Sequence, residues 1–119
     1  MRHLNTPCLT LARQSLHDAM SRLGWPPSAI FDAQLALCEL LVNAWRHGET
    51  PAPVVQILSI DHILRVSVSD ESPTVPTAQT PELLSESGRG LQLVEGLTHR
   101  WGVDPQEHGK SIWFELDAA

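Results

Sequence analysis

Apolar residues in the first half of the chain recur with the period of an α-helix. They stand three and four positions apart from Leu9 to Leu23, and Gly24 with the prolines after it ends that pattern. A second helical pattern follows Ser28, a residue suited to an N-cap, and runs to about His47, after which a glycine and two prolines break it. The first half of the chain is therefore predicted to form two helices.

The second half begins with the two-residue period of β-strands. Residues 54–60 are β-branched and apolar, and residues 64–70 alternate between apolar and polar side chains. Asp61 and His62 form a short connection between the two runs, so we expect an antiparallel hairpin.

A third helix is predicted to begin near Gly90, and two more strands are predicted at 101–103 and 110–116. Helices and strands are largely segregated along the chain. We therefore expect one α+β domain over residues 1–119. It would be a two-layer α/β sandwich with a mixed, mostly antiparallel sheet of four to five strands and about three helices on one face.

A polar stripe runs along the second predicted helix. Glu39, Asn43 and His47 are four residues apart, so they drift by only about 40° per step and share one side. The helix is otherwise apolar nearly all round, which predicts that it is buried. A polar stripe on a buried helix costs free energy unless a partner satisfies it, and that partner is either the protein itself or a ligand. For His47 alone, the negative end of the helix dipole offers another explanation.

Two further polar elements follow the stripe. Asp70 falls on the apolar face of its strand, which calls for a donor nearby, although an aspartate beginning a turn is also common there. Gly88 and Gly90 flank Arg89 at the start of the third helix, where bare backbone N–H groups let an anion approach. The Arg89 side chain is either solvated or directed at such an anion. The irregular segment 72–87 is long for so small a domain, which favours a functional role.

The charge pattern excludes several classes of function. The chain has 119 residues, a net charge of −6 and only eight lysines and arginines, so a phosphate-backbone nucleic-acid binder or a basic membrane patch is not expected. No apolar run approaches the ~20 residues that span a bilayer, and no signal peptide is recognised, so we expect a cytoplasmic protein. Its two cysteines cannot form a zinc site by themselves, and Cys38 is interpreted as a small buried hydrophobic residue.

Taken together, these motifs resemble those of the Bergerat-fold (GHKL) ATP-binding domains of gyrase, Hsp90, histidine kinases and bacterial anti-sigma-factor kinases. The chain is most similar to the small anti-sigma-factor serine/threonine kinases and to short actinobacterial ATP-binding regulatory proteins. The matching segments are Glu39-x-x-x-Asn43-Ala44-x-x-His47-Gly48 for the N box, Asp70-Glu71-Ser72 and Gly88-Arg89-Gly90-Leu91 for the two glycine boxes, and 109–114 for the closing strand.

The resemblance implies that ATP and Mg²⁺ are the cofactors. Asn43 would coordinate Mg²⁺ through its side-chain oxygen, and Glu39 would act as the general base. His47 would lie close to the phosphates.

The resemblance also assigns the remaining nucleotide contacts. Asp70 would accept a hydrogen bond from the adenine amino group. The backbone of Gly88, Arg89, Gly90 and Leu91 would donate to the phosphates at a helix N-terminus. Segment 72–87 would be the lid over the nucleotide.

The chain departs from the family pattern at three places. Ser72 stands where the first glycine box has glycine, and a proline follows it. Lys110 and Ser111 compete for the position of a threonine near the adenine, but the alternation that points Ile112 inward turns Ser111 away. The segment before the first helix is short compared with relatives, so contacts with a partner or within a homodimer are expected to differ.

Three functions remain open from the sequence. The first is a kinase that transfers the γ-phosphate of ATP to an anti-sigma-factor antagonist. The second is a non-catalytic, ATP-dependent binding module that sequesters a sigma factor or another regulator. The third is an α/β domain that binds no nucleotide and satisfies its polar stripe internally.

Overall fold

The computed structural model of the chain describes residues 6–47, 53–70, 90–106 and 109–118. This part contains three helices, which are α1 (Thr6–Arg22), α2 (Pro27–His47) and α3 (Gly90–Leu97). It also contains four strands, which are β1 (Val54–Ile60), β2 (Ile63–Asp70), β3 (Arg100–Gln106) and β4 (Gly109–Asp117).

The four strands form one antiparallel sheet in the order β1-β2-β4-β3. The β1–β2 hairpin turns at Asp61 and His62 as predicted, and Asp61 adopts a φ of 55°, a left-handed conformation that aspartate tolerates better than most residues. The β2–β4 register places Asp70 directly opposite Lys110. The end of β2 and the start of β4 are therefore neighbours across adjacent strands.

The core lies between one face of the sheet and the helices. The inward residues of β2 and β4 are buried, and α2 packs on both strands while α1 and α3 pack against α2. Leu37 and Leu40 of α2 are fully buried, and burial of each such side chain contributes about 1.5–3 kcal/mol. The predicted two-layer α+β architecture is confirmed. In the described part of the chain, no helix is both long enough and apolar enough to cross a bilayer.

Helix α2 begins two residues earlier than the predicted Ser28 cap implies. The backbone N–H of Ile30 donates to the carbonyl oxygen of Pro26 at 3.1 Å, which makes Pro26 the capping position. Pro27 is the first helical residue, where its missing N–H costs nothing and its fixed φ suits a helix. The prediction that Ser28 caps this helix is therefore wrong.

The outward side of α2 is not buried, contrary to expectation. Phe31 is 62% exposed, and Leu35, Cys38 and Val42 on the same side are only half-buried. The sheet and the two flanking helices cover three sides of α2 and leave this ridge in contact with solvent. Partial burial raises the pKa of the Cys38 thiol, and the nearby carboxylate of Glu39 adds a smaller effect in the same direction.

The third strand is longer than predicted. It runs from Arg100 to Gln106 rather than over 101–103, and it includes Pro105. Proline cannot donate a ladder hydrogen bond, but β3 lies at the edge of the sheet, where one side of the strand needs no partner.

Ion pairs cross the outer face of the sheet. Arg65 lies 3.4 Å from Asp104 and 3.8 Å from Glu115, and Arg100 donates to Glu115 at 2.8 Å and also to Asp117. The guanidinium of Arg100 holds the pKa of Asp117 below its ordinary value. These pairs link β2, β4 and β3 on the side of the sheet away from the helices.

A tryptophan packs over a glycine on the same face. Trp113 and Gly102 are register partners, and a Cβ atom added to Gly102 would lie 2.6 Å from the indole ring. The guanidinium of Arg65 covers the ring with its carbon 4.1 Å from the centroid, a cation–π geometry. Glycine is therefore required at position 102 because the indole occupies the space of a side chain.

Candidate functional site

Asn43 of α2 carries a buried amide that no other described residue engages. Its side chain is 2% exposed, and neither Oδ1 nor Nδ2 has a hydrogen-bond partner in the part of the chain that the structure describes. Leaving such a group unpaired costs about 1–3 kcal/mol, and buried polar atoms in native proteins are nearly always paired. The position is typical of a group that meets a ligand.

Glu39 lies one helical turn before Asn43 and is partly exposed. The i, i+4 spacing puts both side chains on one side of α2. Asp32, seven residues before Glu39, shares that side and lines a groove together with Gly96 of α3. The stripe therefore runs along the side of α2 that faces α3.

The same groove shows which end of the domain holds Asn43. Asp32 near the start of α2 and Asp117 at the end of β4 both line it. Asn43 near the end of α2 and Lys110 at the start of β4 must then lie toward the opposite end of the domain. Asp70 pairs with Lys110 in register, so the end of β2 belongs to that same end.

Lys110, which competed with Ser111 for the position near the adenine in the sequence, is a buried lysine. It is 2% exposed and belongs to the inward row of β4 with Ile112 and Phe114. Directly opposed residues of an antiparallel pair share a face, so positions 70 and 110 both belong to the helix-covered face. The two-residue period of β4 already carried this signal, since it turned Ser111 to the other face.

Gly90 is the first residue of α3, so the glycine-containing segment does lead into a helix N-terminus as predicted. The first turn of a helix presents N–H groups without intrahelical partners, which suits an anion. Gly88 and Arg89 lie outside the described residues, as does the predicted lid at 72–87. The backbones of His47, Asp70 and Leu91 are described at element ends, but their side chains fall outside the described part.

Comparison with known protein families identifies one family that the sequence matches. The sequence model of the histidine kinase-like ATPase domain matches residues 6–116, from the first helix to the last strand. The chain belongs to the histidine kinase-like ATPase domain family. Comparison with curated proteins finds no significant match. The resemblance to Bergerat-fold ATP-binding domains is thereby confirmed at the level of the family.

Histidine kinase-like ATPase domains bind ATP, usually together with Mg²⁺. In the described part of this domain, no group of three or more histidine, cysteine and acidic residues could hold a metal ion. Mg²⁺ in nucleotide sites commonly takes only one or two protein oxygens and completes its shell with phosphates and water. The unpaired Oδ1 of Asn43 fits that requirement, since it is a hard oxygen ligand with no competing partner among the described residues.

Proposed function

We propose that this histidine kinase-like ATPase domain binds Mg·ATP near Asn43, on the side of α2 that faces α3, and transfers the γ-phosphate to a protein hydroxyl. The substrate would be the antagonist of an anti-sigma factor. The observation that carries the proposal is the buried amide of Asn43, which has no partner among the described residues, with the Glu39 carboxylate one turn away on the same side of α2.

Each of the two residues has a separate role in the proposal. Asn43 would hold the metal through Oδ1, and Mg²⁺ held there would supply positive charge against the triphosphate. Glu39 orients the attacking hydroxyl and accepts its proton. The new bond joins that oxygen to the γ-phosphorus, and the bond to the β-phosphate oxygen breaks as ADP leaves. Phosphoryl transfer depends mainly on positioning and charge neutralisation, so a small set of residues is sufficient.

The other polar elements bind the nucleotide. The start of α3 supplies backbone donors for the phosphates through the segment that includes Gly90. Asp70 recognises the adenine amino group, and Lys110 lies directly opposite it across the strand pair.

The second candidate function is an ATP-dependent binding module that sequesters a sigma factor without catalysis. It is favoured by Ser72 and the proline after it, which stand where the family pattern has the glycine that begins the lid. A protein that binds ATP through Asn43 but cannot close correctly over it would retain regulated binding and lose transfer.

The experiment measures transfer of label from γ-labelled ATP to purified candidate antagonists. We expect Glu39→Gln to bind Mg·ATP as the wild type does and to transfer phosphate at least about 100-fold more slowly, the usual contribution of a general base. Glu95→Gln removes an exposed carboxylate on α3 and serves as the matched control. Equal transfer by Glu39→Gln and wild type would remove Glu39 from the chemistry. A wild type that retains a partner in ATP but transfers no label would favour the binding module.

A further inference from the structure

A groove of about 430 Å³ opens at the end of the domain opposite Asn43. Its apolar wall comes from Trp25, Ala29, Leu97 and Leu116, which belong to four different segments. Asp32 lies on its rim, eleven residues before Asn43, which corresponds to about 16 Å along the helix axis. The groove is therefore separate from the proposed nucleotide site, although both lie on the side of α2 that faces α3.

Gly96 of α3 lines this groove with no structural need for glycine. Its φ is not positive, and a Cβ atom added to it would meet nothing within 4 Å. Glycine within a helix is less stable than alanine, because the unfolded chain has more freedom to lose. Nothing in the described part of the chain fills the space that this glycine leaves open. The glycine therefore leaves this side of the groove without a side chain and lowers the stability of α3.

The polar groups of the groove differ in whether the fold already uses them. Asp32 has no hydrogen-bond or ion-pair partner among the described residues. The backbone N–H of Asp117 donates to Nδ1 of His99 at 2.9 Å, so the neutral ring carries its hydrogen on Nε2. The Asp117 carboxylate is occupied by Arg100. The groove thus offers a carboxylate that no described residue engages and a ring N–H beside an apolar wall.

We propose that this groove binds a segment of a partner protein that presents an aliphatic or aromatic side chain next to a lysine or arginine. The apolar side chain packs between Trp25, Leu97 and the open face of Gly96. The cation pairs with Asp32 in a domain whose net charge is −6. The groove is open on one side, whereas small-molecule sites bury most of their ligand, so a chain that continues beyond the groove is the better occupant.

The test follows amide signals in two-dimensional NMR spectra during titration with a short peptide. The probe is acetyl-Ala-Leu-Lys-Ala-amide, and the comparison peptide has glutamate in place of lysine. We expect saturable shifts at Ala29, Gly96 and the Trp25 indole N–H with the lysine peptide, and at least about tenfold weaker binding of the glutamate peptide, as for a hydrogen bond to a charged group. Absence of saturable shifts at millimolar lysine peptide would overturn the proposal.

Two variants locate the binding and one serves as control. Gly96→Trp fills the groove and should abolish the shifts, while Asp32→Asn should bring the two peptides to similar affinity. Glu95→Gln also removes one acidic charge, but from an exposed position outside the groove, and should change neither affinity. Peptide binding that Gly96→Trp leaves unchanged would place the site elsewhere and overturn the proposal.

The same series separates this proposal from the nucleotide function. Gly96→Trp and Asp32→Asn should bind Mg·ATP as the wild type does, because Asp32 lies near the start of α2 and Gly96 near the end of α3, at the end of the domain opposite Asn43. Should Gly96→Trp fail to fold, Asp32→Asn alone still decides the charge preference. Equal binding of the lysine peptide, the glutamate peptide and neutral N-acetyl-leucinamide would indicate an apolar small-molecule pocket and contradict the partner assignment.

Discussion

Replacing Asn43 by leucine should make the nucleotide-free protein more stable than the wild type. With saturating Mg·ATP, the variant should be less stable than the wild type. Leucine has nearly the shape of asparagine and carries no polar atom that needs a partner. The Asn43 amide is 2% exposed and both of its polar atoms are unpaired in the described part of the chain. Removal of an unsatisfied buried amide should raise the free energy of unfolding by about 1–2 kcal/mol after some loss to imperfect packing.

The temperature scale and the ligand effect follow from these numbers. For a domain of this size, 1 kcal/mol corresponds to a shift of about 4 °C in Tm, so the nucleotide-free variant should melt about 4–8 °C higher. A ligand at a hundredfold excess over its Kd adds about 2.7 kcal/mol to the wild type. If Asn43 holds the metal, Asn43→Leu gains little of this, and the order of the two melting temperatures reverses at saturating Mg·ATP.

Thermal and urea unfolding with Mg·ATP, with ATP and EDTA, and without nucleotide measure both effects. Gln34→Leu is the matched control, because Gln34 uses its amide to donate to the backbone carbonyl of Arg13 at 3.1 Å. That variant should lose about 0.5–1.5 kcal/mol and keep the full ligand effect. A nucleotide-free Asn43→Leu that is less stable than wild type and still gains from Mg·ATP would show that the amide is an internally satisfied structural group.

Three further predictions concern the rest of the domain. Gly102→Ala should lower the free energy of unfolding in urea by about 1–3 kcal/mol, because its Cβ would lie 2.6 Å from the Trp113 ring, and it should be nearly neutral in a Trp113→Leu background; equal losses in both backgrounds would contradict the contact. Arg100→Gln should return the pKa of Asp117 toward its ordinary value of 3.8 in an NMR titration. Since the folded-state pKa of Asp117 is lowered, the stability that this pair adds is present at neutral pH and is lost as pH falls through that pKa. A pKa of Asp117 that is the same in Arg100→Gln and in the wild type would contradict the ion pair. Cys38 should react with a thiol reagent at pH 8 more slowly than free cysteine, because burial raises its pKa, and unfolding in urea should abolish the difference; equal rates in the folded protein would refute this.

Strand periodicity predicted the sheet well because alternation reports directly which face is covered. The run at 54–60 coincides with β1, and β2 begins only one residue before its predicted start. The helix boundary was harder, since Ser28 and Pro27 satisfy different rules for a helix start, and only the hydrogen bond to Pro26 decides between them. Phe31 was misjudged because helix periodicity identifies apolar sides but not which of them a neighbour covers.

The candidate site was predictable in part. The burial of Asn43 was predicted, since its neighbours on the helix are apolar. The pairing of Asp70 with Lys110 could not be predicted, because register between strands distant in sequence depends on the assembled sheet. The groove lined by Asp32 and Gly96 was not predicted either, since the residues that line it come from segments as far apart as Trp25 and Asp117.

Calorimetric titration with ATP, in Mg²⁺ and in EDTA, tests the central claim most directly. The claim is that the buried amide of Asn43 exists to hold the metal of a bound nucleotide. We expect saturable, Mg²⁺-dependent heat from the wild type, and weaker binding without Mg²⁺ dependence from Asn43→Ala. No saturable heat at millimolar Mg·ATP, or superimposable isotherms for wild type and Asn43→Ala, would contradict the account.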